Sequence, residues 1–169
     1  AESMAEAINA SHMRKLSVDE MARRITPYLQ EAGVVSTPMS DAQADTLAKA
    51  TPLVHERMNT LAESVKMLGF LFAEEVTFDE TDRANLLNDE GLSIVAASRD
   101  ALAAVSQWST ESIEAALRGK LLEEMALKPR VAFGPVRVAI TGSRISPPLF
   151  ESMEILGKDA SLTRLKNFK

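Results

Sequence analysis

Short helices with explicit start and stop signals run through this sequence, and these signals constrain its fold more than any other feature. Ser17-Val-Asp-Glu20 fits a capping box, in which the Ser17 hydroxyl accepts a hydrogen bond from the Glu20 amide and the Glu20 side chain reaches back. Beyond the box, apolar residues recur every four positions up to Gly33, namely Met21, Ile25 and Leu29. This spacing places an apolar stripe along one face, so the first element is predicted to be an amphipathic α-helix.

The same signals continue along the rest of the chain. Further helix starts are predicted at Ser40, Thr51-Pro52, Asp89, Ser109, Ser146-Pro-Pro148 and near Ser161. The segment Arg137–Ile140 stays open between two interpretations, because its residue types suit a strand while Gly134-Pro135 suits a helix start and Thr141-Gly142 a helix stop. Val76-Thr-Phe78 interrupts the helical pattern. We predict an all-α protein of two consecutive helical subdomains that meet near residue 70.

Charge is distributed unevenly along the chain. The formal net charge is −5, yet the segment from Lys128 to Lys169 contains eight Lys or Arg residues against three Asp or Glu. The residues before it are therefore strongly acidic. A localised basic segment can steer a polyanion to one face of a protein whose other surfaces repel it. A solvated acidic body with a basic tail explains the same numbers, so charge alone does not decide between these interpretations.

Several kinds of chemistry lack the residues they need. The sequence has no cysteine, which excludes disulfides and thiolate metal sites. The two histidines, His12 and His55, have no evident partner, and there is no glycine-rich phosphate loop, nucleophile elbow or His-Glu-x-x-His motif. We therefore predict no catalytic residue, no metal site and no cofactor in this chain. No membrane span or secretory signal is recognisable, so we expect a cytoplasmic protein.

Two segments resemble a known family. Lys128-Pro-Arg-Val-Ala-Phe-Gly-Pro-Val-Arg-Val-Ala-Ile-Thr-Gly142 is followed by Ser146-Pro-Pro-Leu-Phe-Glu151 and Leu156-Gly-Lys158. This order resembles the C-terminal signature of bacterial glutamyl-tRNA synthetases, class I enzymes whose terminal helical domains bind the anticodon. Ile8-Asn-Ala-Ser-His-Met-Arg14 resembles the segment that leads out of the stem-contact subdomain of the same family. The family's His-x-Gly-His and Lys-x-Ser-Lys nucleotide signatures are absent.

The resemblance implies a non-catalytic, anticodon-binding module of a larger enzyme. Residues 1–16 would end the stem-contact region, residues 17–70 would form a first anticodon-binding subdomain and residues 71–169 a second. The implied partner is the glutamate tRNA, and ATP and Mg²⁺ would bind a catalytic domain of the same polypeptide. The chain itself would be monomeric. The alternative is a helical protein-interaction domain without RNA binding, which would explain the acidic surface but does not need the basic segment from Lys128.

Arg57 is the residue on which specificity is expected to depend. Its spacing places it between Leu53 and Leu61 on an apolar helical face, where an arginine must extend to solvent or find a partner. Without the resemblance, this purely structural explanation of Arg57 is the simpler one. The segment His55–Leu61, however, matches the position where the family reads the last anticodon base, a cytosine. Arginine there resembles the discriminating enzymes, which reject the glutamine tRNA.

Other residues are candidates for RNA contact. The resemblance assigns anticodon contacts, besides Arg57, to Arg118, Arg137, Ser146, Pro147 and Leu149. The candidates for phosphate contact are Lys120, Arg130, Arg144, Lys158, Arg164 and Lys166. Phosphate contacts would add salt-dependent affinity without base information. Core packing is the alternative for Leu149, and an ordinary surface position is the alternative for Arg118.

Overall fold

The computed structural model describes residues 14–166, so most of the predicted stem-contact segment, including His12, lies outside the described residues. Residues 14–166 contain no β-strand, which confirms the all-α prediction, and no helix among them has the length and apolar character that crossing a membrane requires. The α-helices are α1 (Val18–Glu31), α2 (Asp41–Val54), α3 (Glu63–Leu68), α4 (Glu80–Leu86), α5 (Asp89–Ala103), α6 (Thr110–Leu117), α7 (Pro129–Thr141), α8 (Leu149–Leu156) and α9 (Lys158–Lys166). A 3₁₀ turn (Gly69–Leu71) follows α3, and a π-helix (Arg118–Glu124) continues α6.

The chain divides into two compact units between Glu74 and Glu75. In the first unit, α1 packs against α2 and α3. The core of this unit consists of buried apolar side chains, including Met21, Ile25, Leu29, Leu47, Met58 and Leu68. The three core residues from α1 are those that the four-residue spacing predicted, because such spacing returns a side chain to nearly the same helix face.

The second unit is organised around α7. This helix packs against α4, α5, α9 and the π-helix. The surrounding core is apolar and includes Ile94, Leu102, Ile113, Leu117, Leu121, Val136, Ile140, Met153 and Leu165. Because Val136 and Ile140 are fully buried, the helix is fixed along its length, and the polar side chains of its last turns have defined positions.

Pro52 lies inside α2, so the helix start predicted at Thr51-Pro52 is wrong. Ser40 and Gln43 form a complete capping box that starts α2 much earlier. The Thr51 hydroxyl donates to the Leu47 carbonyl at 2.7 Å and does not cap a new helix. Helix α2 continues for two residues beyond Pro52 and ends at Val54.

A single helix covers the segment that the residue types left open. Helix α7 begins at Pro129, continues through Pro135 and ends before Gly142, which has φ +91°. The predicted stop at Thr141-Gly142 is therefore confirmed, and the predicted start at Gly134-Pro135 is wrong. Pro129 already occupies the first helical position, where the amide that proline lacks would have had no partner within the helix.

Candidate functional site

A loop of seven residues, Gly142–Pro148, joins α7 to α8 and contains two of the predicted anticodon residues. A Cβ atom on Gly142 would lie 2.1 Å from the carbonyl oxygen of Thr77, closer than any side chain could approach. The amide of Asp79 donates a hydrogen bond of 2.8 Å to the Gly142 carbonyl. The first residue of this α7–α8 loop is therefore pressed against the segment that precedes α4, and only glycine fits there.

A buried carboxylate holds the middle of the same loop. Asp82, on α4, is 7% exposed. Its Oδ2 accepts hydrogen bonds from the Arg144 amide at 3.0 Å and from the Ser143 hydroxyl at 3.3 Å. Its Oδ1 lies 3.2 Å from the Arg144 Nε. Asp82 was not among the predicted residues, because it is one of several acidic residues near the start of α4 and its partners are about 60 positions away.

Arg137 holds the end of the α7–α8 loop. Its Nη1 donates to the Ser146 hydroxyl at 2.6 Å and to the Pro147 carbonyl at 2.9 Å. The Ser146 hydroxyl also donates to the Pro147 carbonyl at 2.8 Å. The structure thus brings together three residues that the resemblance assigned to the anticodon. Ser146 and Pro147 are buried, so their polar groups are occupied in fixing the loop.

The exposed apolar residue of this region is not the predicted one. Leu149 is 3% exposed and packs into the core of the second unit, so the expectation that it faces RNA is corrected in favour of core packing. Ile145, in contrast, is 73% exposed. No sequence signal marked Ile145, because only the loop geometry shows that its neighbours are fixed and its side chain is not covered.

Arg118 lies on the surface at the start of the π-helix, and it has two described partners. Its Nε donates to Glu114 Oε2 at 2.7 Å, and its guanidinium carbon lies 5.5 Å from the centre of the Phe133 ring. Phe133 in turn packs edge-on against Phe150, with ring centres 5.3 Å apart. Phe133 and Arg137 are one turn apart on α7, so they lie on the same face of this helix. Arg118, which packs over the Phe133 ring, therefore lies against the face of α7 that also carries Arg137.

Arg57 belongs to the first unit and is exposed. It lies in the turn that follows α2, and its amide donates to the Val54 carbonyl at 2.9 Å. The predicted helical position between Leu53 and Leu61 is therefore wrong, because α2 has ended before Arg57. The turn is braced from the chain before α1: His55 Nε2 lies 2.5 Å from the Leu16 carbonyl, and Arg14 Nε donates to the Glu56 carbonyl at 3.2 Å. His55 thus has a structural partner.

The phosphate candidates differ in their accessibility. Arg130 and Lys166 are exposed. The Arg144 side chain is 65% exposed although its Nε is paired with Asp82. Lys120 is partly covered and lies 3.5 Å from Glu124 Oε1. The exposed ion pair of Lys120 is weak, so Lys120 can exchange its carboxylate partner for a phosphate at little cost. Arg144 differs, because its partner Asp82 is buried.

Two of the phosphate candidates have structural partners instead. Arg164 is 5% exposed, and its Nη1 donates to the Ile140 carbonyl at 2.7 Å; burial also lowers the pKa of its guanidinium. Lys158 Nζ donates to the carbonyls of Ala103 at 3.2 Å and Val105 at 2.6 Å, at the end of α5. Counting charges along the sequence could not separate these two residues from surface cations, so the expectation of phosphate contact is corrected for both.

The replacement Lys158→Met should lower the free energy of unfolding by about 1–2 kcal/mol, because it removes a cation that satisfies carbonyls at a helix C-terminus. The affinity for RNA of the folded protein should not change. Urea denaturation and RNA titration measure the two effects separately. Lys166→Met, at an exposed position on α9, is the matched control and should leave stability unaltered. Equal stability of both variants would contradict the structural role of Lys158.

Comparison with known proteins identifies the class. Residues 20–169 match the family model of the anticodon binding domain. The chain therefore belongs to the anticodon-binding domain family, in agreement with its all-α fold. Its relatives include the glutamate–tRNA ligases of Nocardioides sp. and Leifsonia xyli subsp. xyli, which are 57% and 51% identical over 165 residues. These alignments cover 96% and 95% of this chain but only 34% and 33% of the relatives, so the chain spans about a third of their length.

Solved structures share the fold. A glutamate tRNA ligase from Elizabethkingia meningosepticum, crystallised with its amino acid, has a TM-score of 0.76, and a glutamate–tRNA synthetase from Elizabethkingia anophelis has a TM-score of 0.71. The superpositions cover 100% and 98% of this chain and 33% and 31% of those chains. Sequence identity is 20% in both cases, so this likeness concerns the fold alone.

Proposed function

We propose that this chain binds the anticodon loop of the glutamate tRNA as one part of a glutamate–tRNA ligase. The chain itself is not catalytic in this proposal. ATP, Mg²⁺ and glutamate are used by a catalytic domain elsewhere in the same cytoplasmic polypeptide, which acts as a monomer. The family match and the relatives support the proposal.

The observation that carries the proposal is the Arg137–Ser146–Pro147 arrangement. Sequence-specific RNA recognition targets unpaired bases, which need a rigid surface with apolar and hydrogen-bonding groups. Arg137 makes the α7–α8 loop such a surface, because two hydrogen bonds from one guanidinium nitrogen fix its last residues. The amides of the first turn of α8 follow directly, and amides at a helix start have no partner within the helix.

Arg57 is proposed to read the last anticodon base. A guanidinium can donate two parallel hydrogen bonds to the O2 and N3 acceptors of cytosine, whereas guanine presents N1–H and N2–H donors on that edge. The exposed position of Arg57 supports this role, and so does the bracing of its turn by Leu16 and Arg14, since a fixed backbone reduces the entropy lost on binding. The glutamine tRNA, with guanine at that position, would therefore be rejected.

The test compares the anticodon stem-loops of the glutamate and glutamine tRNAs as ligands of the 169-residue chain. We expect the glutamate stem-loop to bind more tightly and Arg57→Gln to remove about 1–3 kcal/mol of this preference, or about 5- to 150-fold. Titrations at two salt concentrations should give the same salt dependence for the variant, since Arg57 is proposed to contact a base and not a phosphate.

Arg23→Gln is the matched control for this test. Arg23 is an exposed arginine of the first unit, paired with Glu20, and its replacement removes the same charge. A loss of preference in both variants would show that net charge, and not Arg57, is responsible. If neither stem-loop bound better than a hairpin with a scrambled loop at low salt, anticodon recognition would be excluded for this chain and a protein-interaction domain would be the better explanation.

A further inference from the structure

The Asp82 carboxylate makes its described contacts with two consecutive residues of the α7–α8 loop, Ser143 and Arg144. A carboxylate that is 7% exposed is stable only when several donors replace the water it has lost. The Ser143 hydroxyl, the Arg144 amide and the Arg144 Nε supply those donors. The loop and α4 are therefore coupled, because neither can move without leaving this carboxylate without its donors.

The residue presented by this contact is Ile145. Its amide donates to the Ser143 hydroxyl at 3.1 Å, and that hydroxyl is one of the donors to Asp82. On its other side, Ser146 is held by Arg137. Ile145 is the most exposed of the large apolar side chains in the described part of the chain, at 73% against 42% for Val131. A β-branched side chain on a fixed backbone has few rotamers, so its apolar surface is already ordered before a ligand arrives.

We propose that Asp82 is a positioning residue for anticodon recognition, and that the Ile145 side chain it presents packs against an unpaired base of the loop. This inference rests on the proposed function. Ile145 is the exposed apolar group that a splayed base would meet here, because Leu149 and Pro147 are buried. Asp82 acts only through the loop, and its negative charge by itself would repel the RNA.

That repulsion makes the test sharp. Asp82→Asn and Glu80→Gln each remove one negative charge from the first turn of α4, and Glu80 is exposed and has no described contact with the loop. If only charge mattered, both variants would bind the glutamate stem-loop slightly more tightly. We expect Glu80→Gln to do so, whereas Asp82→Asn should bind up to about fivefold more weakly than the unaltered chain, because hydrogen bonds to a charged acceptor are lost.

A ratio of two affinities distinguishes positioning from a merely structural role. It is the affinity for the glutamate stem-loop divided by the affinity for a hairpin with the same stem and a scrambled loop. This ratio should be lower for Asp82→Asn than for the unaltered chain, whereas the affinity for the scrambled hairpin should not fall. Ile145→Ala should lower the ratio by about fivefold without changing the melting temperature, because an exposed side chain contributes little to stability. In the Ile145→Ala background, Asp82→Asn should have little further effect.

Each outcome bears on the inference. Equal behaviour of Asp82→Asn and Glu80→Gln would overturn it, and so would strictly additive effects of Asp82→Asn and Ile145→Ala. Ser143→Ala removes one donor at a half-buried position and carries the same test if Asp82→Asn does not fold; it should weaken the ratio by about threefold. No preference in the unaltered chain would overturn the proposed function as well, whereas a preference that survives in all three variants would overturn this inference alone.

Discussion

Gly142→Ala is expected to lower the free energy of unfolding of the second unit by about 3 kcal/mol or more. Two effects add at this position. A φ of +91° is strained for any residue with a Cβ atom, and the new Cβ would lie 2.1 Å from the Thr77 carbonyl oxygen. Since that oxygen belongs to the backbone, no side-chain rotation can relieve the overlap. Either the loop or the segment before α4 must move.

Urea denaturation followed by tryptophan fluorescence measures this change. Trp108 is the only tryptophan of the sequence and lies in the second unit, so its emission reports on the unit that contains Gly142. Gly119→Ala is the matched control. Gly119 lies inside the π-helix of the same unit, where a Cβ would make only ordinary contact with Glu123 Oε2 at 3.7 Å, so alanine should raise stability by about 0.5–1 kcal/mol. The same sign for both variants would contradict the close approach at Gly142.

The binding of the glutamate stem-loop should suffer along with stability in Gly142→Ala, even where the protein remains folded. The three contacts on the α7–α8 loop form a series: Gly142 against Thr77, Asp82 on Arg144, and Arg137 on Ser146. If the chain is displaced at Gly142, the loop residues that make the next two contacts are displaced as well. Misplacement of a recognition group by about 1 Å can reduce activity by about two orders of magnitude, so a local backbone clash has a functional consequence.

Local signals in the sequence predicted the parts of the fold that local physics determines. The caps at Ser17, Ser40 and Ser109 each accept the expected amide hydrogen bond, because the hydroxyl and its donor are only three residues apart. Gly142 stops its helix for an equally local reason, its left-handed backbone. The positions of the prolines relative to the helices were harder to predict. Pro52 and Pro135 lie inside helices, because packing against neighbouring helices outweighs one missing hydrogen bond.

The candidate site shows the same limit more clearly. The resemblance indicated Arg137, Ser146 and Pro147 from their order in the sequence, and the structure brings them within hydrogen-bond distance of one another. Asp82 could not be found in this way, since its function as a loop anchor depends on residues 61 and 62 positions away. Arg164 was misassigned for the related reason that composition counts a charge but does not show whether it lies inside the protein.

Arg137→Met should reduce the affinity for the glutamate stem-loop by about 3 kcal/mol, because two hydrogen bonds from a charged donor are lost. Methionine fills a similar volume but leaves the Ser146 hydroxyl and the Pro147 carbonyl with only each other. Without these bonds, the last residues of the α7–α8 loop are no longer held in place next to the start of α8. Arg137→Lys keeps the charge without the rigid planar fork, so it should restore only part of the affinity.

Salt dependence separates this positioning effect from a phosphate contact. If Arg137 acted only on phosphates, its removal would matter less as salt is added, since screening weakens that interaction in the unaltered chain and the variant lacks it. We expect the ratio of dissociation constants between Arg137→Met and the unaltered chain to stay constant from low to moderate salt. Arg130→Met provides the contrast, because Arg130 is exposed on the same helix and its effect should shrink with added salt. A constant ratio for Arg137 would therefore show that this residue acts by holding the α7–α8 loop in place and not by contacting a phosphate.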